Sequence, residues 1–280
     1  MVVTPKGQAL GREMKNVRER VGATARAIAE QMGVSTATIS RWESGNRSPR
    51  PEDVASYLTA LRAPNGVRNE LIDMARDTEG RQWLAVGYPE QGHALAALLE
   101  AERDATHIVS VSPLIIPGLL QTVDYARSII GAGGVPAEEV EIRVKTRVGR
   151  RSVLTGRNAP AFLALLGEAA LRRLVGGPQV QSDQLRVLLE ISRLPSVDLR
   201  VIPFTAPWSP DMEGLYDWFA FRDRDPVVHV ENRRSALVFH DRDDVAPYEA
   251  ATDTVMRVAM SSARTSELIL DVISELEATP

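Results

Sequence analysis

Between Ser35 and Gly45 the chain reads STATISRWESG. Helical spacing puts Ile39 and Trp42 on one face of this stretch and Thr36, Ala37, Ser40 and Arg41 on the other. Hydroxyls and a guanidinium on a free helix face can hydrogen-bond to base edges and phosphates in a DNA groove. The same spacing also describes an ordinary amphipathic surface helix, so the neighbouring elements must decide what the face is for.

Residues capable of covalent or metal chemistry do not assemble elsewhere. His93, His107, His229 and His240 are scattered, with no HExxH and no ligand-like pair one helical turn apart. Asp223 and Asp225 alternate with arginine but lack the length and terminal glutamate of a calcium loop. HDRDD (240–244) reads most simply as a charged turn with aspartate at a helix start. Ser152 has no Gly-x-Ser-x-Gly elbow, and GAGG (131–134) is too short for a phosphate loop. Cysteine is absent, which removes thiol nucleophiles, disulfides and thiolate metal sites. The expectation is a non-enzymatic protein with no cofactor and no metal.

Arg143, Lys145, Arg147, Arg150 and Arg151 form a basic stretch. It reads either as a site for an acidic partner, a phosphorylated ligand or flanking DNA, or as a solvated helix face laced with Glu139 and Glu141. Arg147, Arg150 and Arg151 are the candidate contacts on the first reading. Trp208, Tyr216, Trp218 and Phe219 are candidates to line a small-molecule cavity.

At 280 residues the chain has room for two ordinary domains. Residues 1–76 carry 12 Lys/Arg against 8 Asp/Glu and the remainder 21 against 29, giving +4 and −8 and the overall −4. A basic module joined to an acidic one places any nucleic-acid contact at the amino-terminal end. No apolar run is long enough to cross a bilayer and no signal-peptide pattern opens the chain, so a cytoplasmic protein without membrane contact is expected.

The spacing predicts helices over 7–21 (Leu10, Met14, Val17 and Val21 inward), 24–31 (Ile28, Ala29) and 36–43, the last capped by Ser35 after a sharp turn at Gly33. Two more follow, one from Pro51 with Val54, Leu58 and Leu61 inward, and one capped by Asn65 with Leu71 and Met74 inward. Five short helices with a tight turn between the second and third describe a helix-turn-helix over 1–76. GVSTATISRWESGNRSP closely resembles the turn, recognition helix and following loop of the XRE, or lambda-repressor, type. That resemblance implies base contacts from Thr36, Ala37 and Arg41, with Arg41 bidentate to guanine and Ala37 on a thymine methyl. Thr38 and Ser40, nearer the edge of that helix face, are expected phosphate partners, and Arg47 and Arg50, with Arg12 and Arg26, read either as phosphate contacts or as ordinary solvated arginines. Glu43, acidic beside DNA, is expected to pair with a neighbouring arginine or to cap backbone. Ala25 stands where the family often has a glutamine that buttresses the backbone contact.

Residues 77–90 read as a linker, with Trp83 and Leu84 hinting at docking, and 91–280 as a mixed α+β domain. Helices are expected near 89–106, 117–130, 137–153, 168–175, 179–193 and 243–276. Strands are expected at 161–166, 198–204, 215–222 and 226–231, with a short strand or helix tail at 108–111. The fold class is α+β overall. IIPGLLQTVDYARSII (115–130) resembles the hallmark of a large domain of unknown function found behind XRE modules in Streptomyces and related actinobacteria. Glu102, Ala105, GEAALRRLVGG, DQLRVLL, VDLRVIPF and GLYDWFAF follow in the same order, while Ser112 replaces a common glutamate. Such regulators are described as antitoxin-like and are often encoded beside a very small protein. The resemblance implies a homodimeric, sequence-specific transcription regulator on a near-palindromic operator in double-stranded DNA, whose second domain responds to a small partner protein or a small-molecule effector. The alternative is an antitoxin-like module that neutralises a small cognate protein, with DNA binding as autoregulation.

Overall fold

The structure, a computed structural model, describes residues 5–76, 82–86, 92–232 and 235–278. It divides into two compact units whose boundary in sequence lies between residues 85 and 86. Of the linker expected at 77–90, only Gln82–Val86 are described, as a strand (β1). The side chains of Trp83, Leu84 and His93 lie outside the described residues.

Residues 5–76 of the first unit are helical: α1 (Pro5–Arg20), α2 (Ala25–Met32), α3 (Thr36–Glu43), α4 (Pro51–Ala60) and α5 (Asn65–Arg76). Its core collects one stripe from each helix: Leu10, Met14 and Val17; Ile28 and Ala29; Ile39 and Trp42; Val54, Tyr57 and Leu58; Leu71 and Met74. Each large side chain removed from water contributes roughly 1.5–3 kcal/mol before entropy is counted. Two expectations shift. Val21 is 54% exposed, because α1 ends at Arg20 and Gly22 turns the chain with a φ of 69°. Asn65 is the first helical residue of α5 rather than the residue before it.

The second unit is α+β. After α6 (Gly92–Asp104) and β2 (His107–Ser112), helices α7 (Val123–Ala132), α8 (Ala137–Gly149) and α9 (Ser152–Thr155) lead to β3 (Ala161–Gly167). Helices α10 (Glu168–Arg172) and α11 (Pro178–Ile191) lead to β4 (Val197–Ile202). Then come β5 (Tyr216–Ala220), β6 (Val227–Asn232), β7 (Ser235–Phe239), α12 (Arg242–Val258) and α13 (Ser262–Ala278). The strands of this unit run β7-β6-β5-β2-β3-β4. β2, β3 and β4 are parallel and joined by helical crossovers, whereas β5, β6 and β7 are antiparallel. β2 therefore stands where a parallel half meets an antiparallel half.

Alternation gives the sheet two different faces. Val111, Leu165, Ile202, Tyr216 and Val228 form one, packed with Val245 and Val255 of α12. The other holds Ile108, Phe162, Ala164, Leu166, Leu199 and Phe219, all buried, and also Ser110, Asp217 and His229. Several elements differ from the sequence expectation, and the helix expected over 137–153 divides into α8 and α9. β7 is an additional strand. The helix expected from 117 begins as a single 3-10 turn, Gly118–Leu120, before α7. The helix expected over 243–276 breaks at 259–261, where the Met260 amide donates to the Val201 carbonyl at 2.7 Å. The Val201 amide donates in turn to Thr265 Oγ1 at 3.0 Å, so the break and the start of α13 satisfy the outer edge of β4.

Candidate nucleic-acid interface

Helix α3 is held at both ends. At its start Gly33 takes a left-handed φ of 67° and closes α2. Ser35, extended at φ −76°, then accepts from the Thr38 amide at 3.1 Å, and its hydroxyl lies 2.9 Å from Thr38 Oγ1. At its end Gly45 turns at φ 71° and the Arg47 amide donates to the Arg41 carbonyl at 3.1 Å, folding the following loop back on the helix.

Thr36, Ala37, Ser40 and Arg41 are exposed together on the face opposite Ile39 and Trp42. The Arg41 Nε donates to the Ala37 carbonyl at 3.2 Å, while its terminal nitrogens have no partner among the described residues. The fork of donors is thus steered along the exposed face. Thr38, half-buried, spends its hydroxyl on Ser35. Arg47 and Arg50 are exposed beside the helix, and the Arg50 amide donates to Asp53 Oδ2 at 3.1 Å to start α4. Arg26 is exposed on α2 but paired with Glu30 at 2.9 Å, and Arg12 is half-exposed on α1.

Glu43 forms a brace beneath this surface. Arg18 of α1 grips it in a bidentate pair, Nε to Oε1 and Nη2 to Oε2, both 2.7 Å. Tyr57 of α4, fully buried, donates to Glu43 Oε1 at 2.7 Å, and its hydroxyl lies 3.2 Å from the Met14 carbonyl. The hydrogen bond to Glu43 strengthens the Arg18 charge, while burial and then Glu43 push the Tyr57 hydroxyl far above its ordinary range. The expected arginine partner of Glu43 is therefore Arg18. Tyr57 escaped the sequence reading because a lone tyrosine within an apolar stripe carries no signal of its partner. Gly11 completes the arrangement: a Cβ there would lie 2.2 Å from the Trp42 carbonyl oxygen, so α1 crosses the end of α3 at backbone distance.

In the second unit the PGLLQT stretch proves to be a self-satisfied loop. Gln121 Nε2 donates to the Ile116 carbonyl at 2.7 Å, and the Ile116 amide donates to the Tyr125 hydroxyl at 3.1 Å. Gln184 of α11 bridges the Thr122 amide (2.7 Å) and the Leu120 carbonyl (2.8 Å). Gly118 leaves room for the Arg150 guanidinium, 3.2 Å from where a Cβ would stand.

The basic stretch is not an open patch and is a laced, solvated face only in part: Lys145 and Glu141 are exposed and Arg143 pairs with Glu139, but the arginines turn inward. Arg143 and Arg147 are buried, and Arg150 is nearly so, bound to the buried Glu102 with Nε 3.1 Å from each carboxylate oxygen. Arg151 donates to the Leu120 and Gln121 carbonyls. Arg150 also faces a polar ladder across the sheet, in which Ser110 donates to Asp217 Oδ1 at 2.6 Å and His229 Nδ1 lies 3.9 Å from Asp217 Oδ2. Burial pushes Asp217 up to about 6; burial, then the Arg150 charge, push His229 down to about 4.

The four aromatic candidates are not brought together. Trp208 is 65% exposed, Phe219 points to the polar-ladder face, and Trp218 packs at the margin of the α12 face. Tyr216 alone reaches a cleft, of about 560 Å³, between the end of β2, the ends of β5 and β6, and α12. Among the described residues no helix is long and apolar enough to cross a membrane.

Comparison with known families gives two matches. Residues 9–71 match a helix-turn-helix domain, and residues 95–271 match a domain of unknown function, DUF5753. No curated protein matches the chain.

Proposed function

The chain belongs to the family defined by the domain of unknown function DUF5753, carried here behind a helix-turn-helix domain, and from that premise we propose a sequence-specific transcription regulator. In this reading α3 enters the major groove, Thr36, Ala37 and Arg41 meet base edges, and Ser40, Thr38, Arg47 and Arg50 meet phosphates, with Arg12 and Arg26 flanking them. The carrying observation is the Arg41 guanidinium, anchored through Nε on a helix capped at one end and braced by Arg18, Glu43 and Tyr57 at the other. A rigid helix with an unpartnered fork of donors needs little reorganisation to engage guanine O6 and N7. One small module buries limited DNA surface, so a homodimer on a near-palindromic site is the form in which it acts. The second unit makes DNA binding conditional on a partner or ligand, a role supported by its cleft of about 560 Å³.

The test is selection from sheared genomic DNA by the wild-type chain and by Arg41→Ala at one fixed salt concentration. Enrichment of a few sites by the wild type, lost or relaxed in the variant, is expected. Equal enrichment by both would remove α3 as the reading element.

A further inference from the structure

The loop between β4 and β5 exposes what the rest of the chain buries. Phe204, Trp208 and Met212 are each at least 65% exposed, and no other phenylalanine or tryptophan among the described residues is exposed. The loop that carries them is nonetheless fully tied down. The Phe204 amide donates to Glu168 Oε2 at 2.9 Å, the Ala206 amide donates to the Pro203 carbonyl at 2.9 Å, and Ala206 packs into the core beneath α12. Ser209, buried, donates to the buried Asp211, and the Met212 and Gly214 amides donate to the Ser209 and Asp211 carbonyls at 3.1 and 3.2 Å. A backbone committed in this way holds the three apolar side chains out in water, already placed for a partner. Tryptophan is among the residues that most often anchor interfaces.

The same loop walls the cleft of the second unit. Pro210, Glu213 and Gly214 line it, so Trp208 stands two residues away along the chain, within about 8 Å. Its side chain nevertheless faces solvent and does not fill the cleft. The cleft, about 560 Å³, has room for an indole, and much of its wall is apolar: Leu114, Ile115, Leu215, Pro247 and Ala251. Tyr216 and Tyr248 add two rings in edge contact, with centroids 5.0 Å apart. A knob and a hole thus lie side by side on one surface. A two-fold interface requires this arrangement, because each copy must offer the same patch and the patch must complement itself. The areas agree. Taking about 150–250 Å² for a whole aromatic side chain, Phe204, Trp208, Met212 and Leu114 leave roughly 500 Å² of apolar surface in water. A stable dimer buries about 800 Å² per partner, of which about 65% is apolar, so the two amounts are close.

We propose that two copies of this chain pair through this surface, the Trp208 indole of each entering the cleft of the other. The indole lies among the apolar wall residues and tyrosine rings of the partner subunit, and its N–H donates to the partner's Glu213, which is exposed at the cleft. The inference rests on the homodimeric reading and names the surface that makes the dimer. Any other molecule that enters the cleft competes with the partner's Trp208, which links occupancy of the cleft to pairing and so to DNA affinity.

The experiment brings the full chain to sedimentation equilibrium over a range of concentrations, beside three variants whose folding is checked by circular dichroism. The wild type is expected to be a dimer. Trp208→Ala should weaken pairing at least about thirtyfold, the scale of one lost anchor residue. Ala251→Trp fills the cleft while leaving the anchor in place, and should weaken pairing likewise. Leu270→Ala, at an exposed apolar position on α13 outside the cleft, should leave it unchanged. The chain has no cysteine, so a Met212→Cys chain and a Leu114→Cys chain can be mixed and joined by a short bismaleimide. Cross-linked pairs between the two chains are expected, and should disappear when Trp208→Ala is added to both. A dimer that tolerates either Trp208→Ala or Ala251→Trp overturns the exchange of Trp208 and keeps the homodimeric reading. A chain that stays monomeric throughout, with its selected DNA as without it, removes that reading and the interface together.

Discussion

At the scale of single residues, the exposed and the buried arginines have opposite jobs, and their effects should separate cleanly. On the proposed reading, Arg47→Ala removes a phosphate contact that carries no sequence information. It should weaken binding to all DNA alike and reduce the slope of log affinity against log salt by about 1, as a salt titration would read it. Equal slopes for wild type and variant would place Arg47 off the DNA. Tyr57→Phe keeps the packing but removes the donor to Glu43, and should cost about 1 kcal/mol in the urea unfolding of the full chain. The sequence made the first of these residues legible and not the second. Arg47 follows a recognisable helix, whereas the Arg18–Glu43–Tyr57 brace joins residues 25 and 14 positions apart whose meeting depends on how three helices cross. The buried arginines 143, 147 and 150 failed for a related reason. Charge at helical spacing normally means solvent: Arg143 pairs with Glu139 on its own helix, and it is the tertiary partners of Arg150 and Arg147, Glu102 and Gln121, that reveal the burial.

At the scale of elements, close helix contact and strand alternation do the positioning. Gly11→Ala forces α1 away from the Trp42 carbonyl and should cost about 1–3 kcal/mol, seen as lost amide-exchange protection in α1 and α3 of the full chain. Unchanged protection there would mean that the helices can separate freely. In the sheet, Asp217 and His229 face one another across β5 and β6 with opposite shifts. Asp217, raised to about 6, binds its proton more tightly folded than unfolded, so its contribution is full at low pH and is lost as pH rises through 6. His229, lowered to about 4, is neutral in the fold, so its contribution is present above its ordinary 6.5 and is lost as pH falls through 4. The two cancel over much of pH 4–6.5. Relative to wild type, His229→Gln should therefore lose stability as pH rises across this window, and Asp217→Asn as pH falls, each by on the order of 2 kcal/mol. Parallel profiles for the two variants would contradict the pairing. Amphipathic spacing made the five helices of the first unit and β3 to β6 readable. β7 and the break between α12 and α13 were not, because a short apolar strand resembles any apolar run and the break serves a strand edge about sixty residues earlier in the chain.

At the scale of the whole molecule, a basic helical unit precedes an acidic α+β unit, and the exposed donors of α3 and the cleft of about 560 Å³ lie in different units. The charge asymmetry and the helix-turn-helix pattern made the first readable, whereas the cleft is assembled from segments more than a hundred residues apart that no local pattern links. If paired modules read a near-palindrome, the two halves of each selected site should lie one helical turn, about 10 base pairs, or a multiple of it apart. The central claim, that Arg41 reads a base, is tested most directly by a double-mutant cycle. Affinities of wild type and Arg41→Ala are measured on a selected site and on the same site with each guanine replaced in turn. The account predicts one guanine whose replacement costs the wild type about 1–3 kcal/mol and costs Arg41→Ala almost nothing. If every replacement cost both proteins equally, Arg41 would not be reading a base.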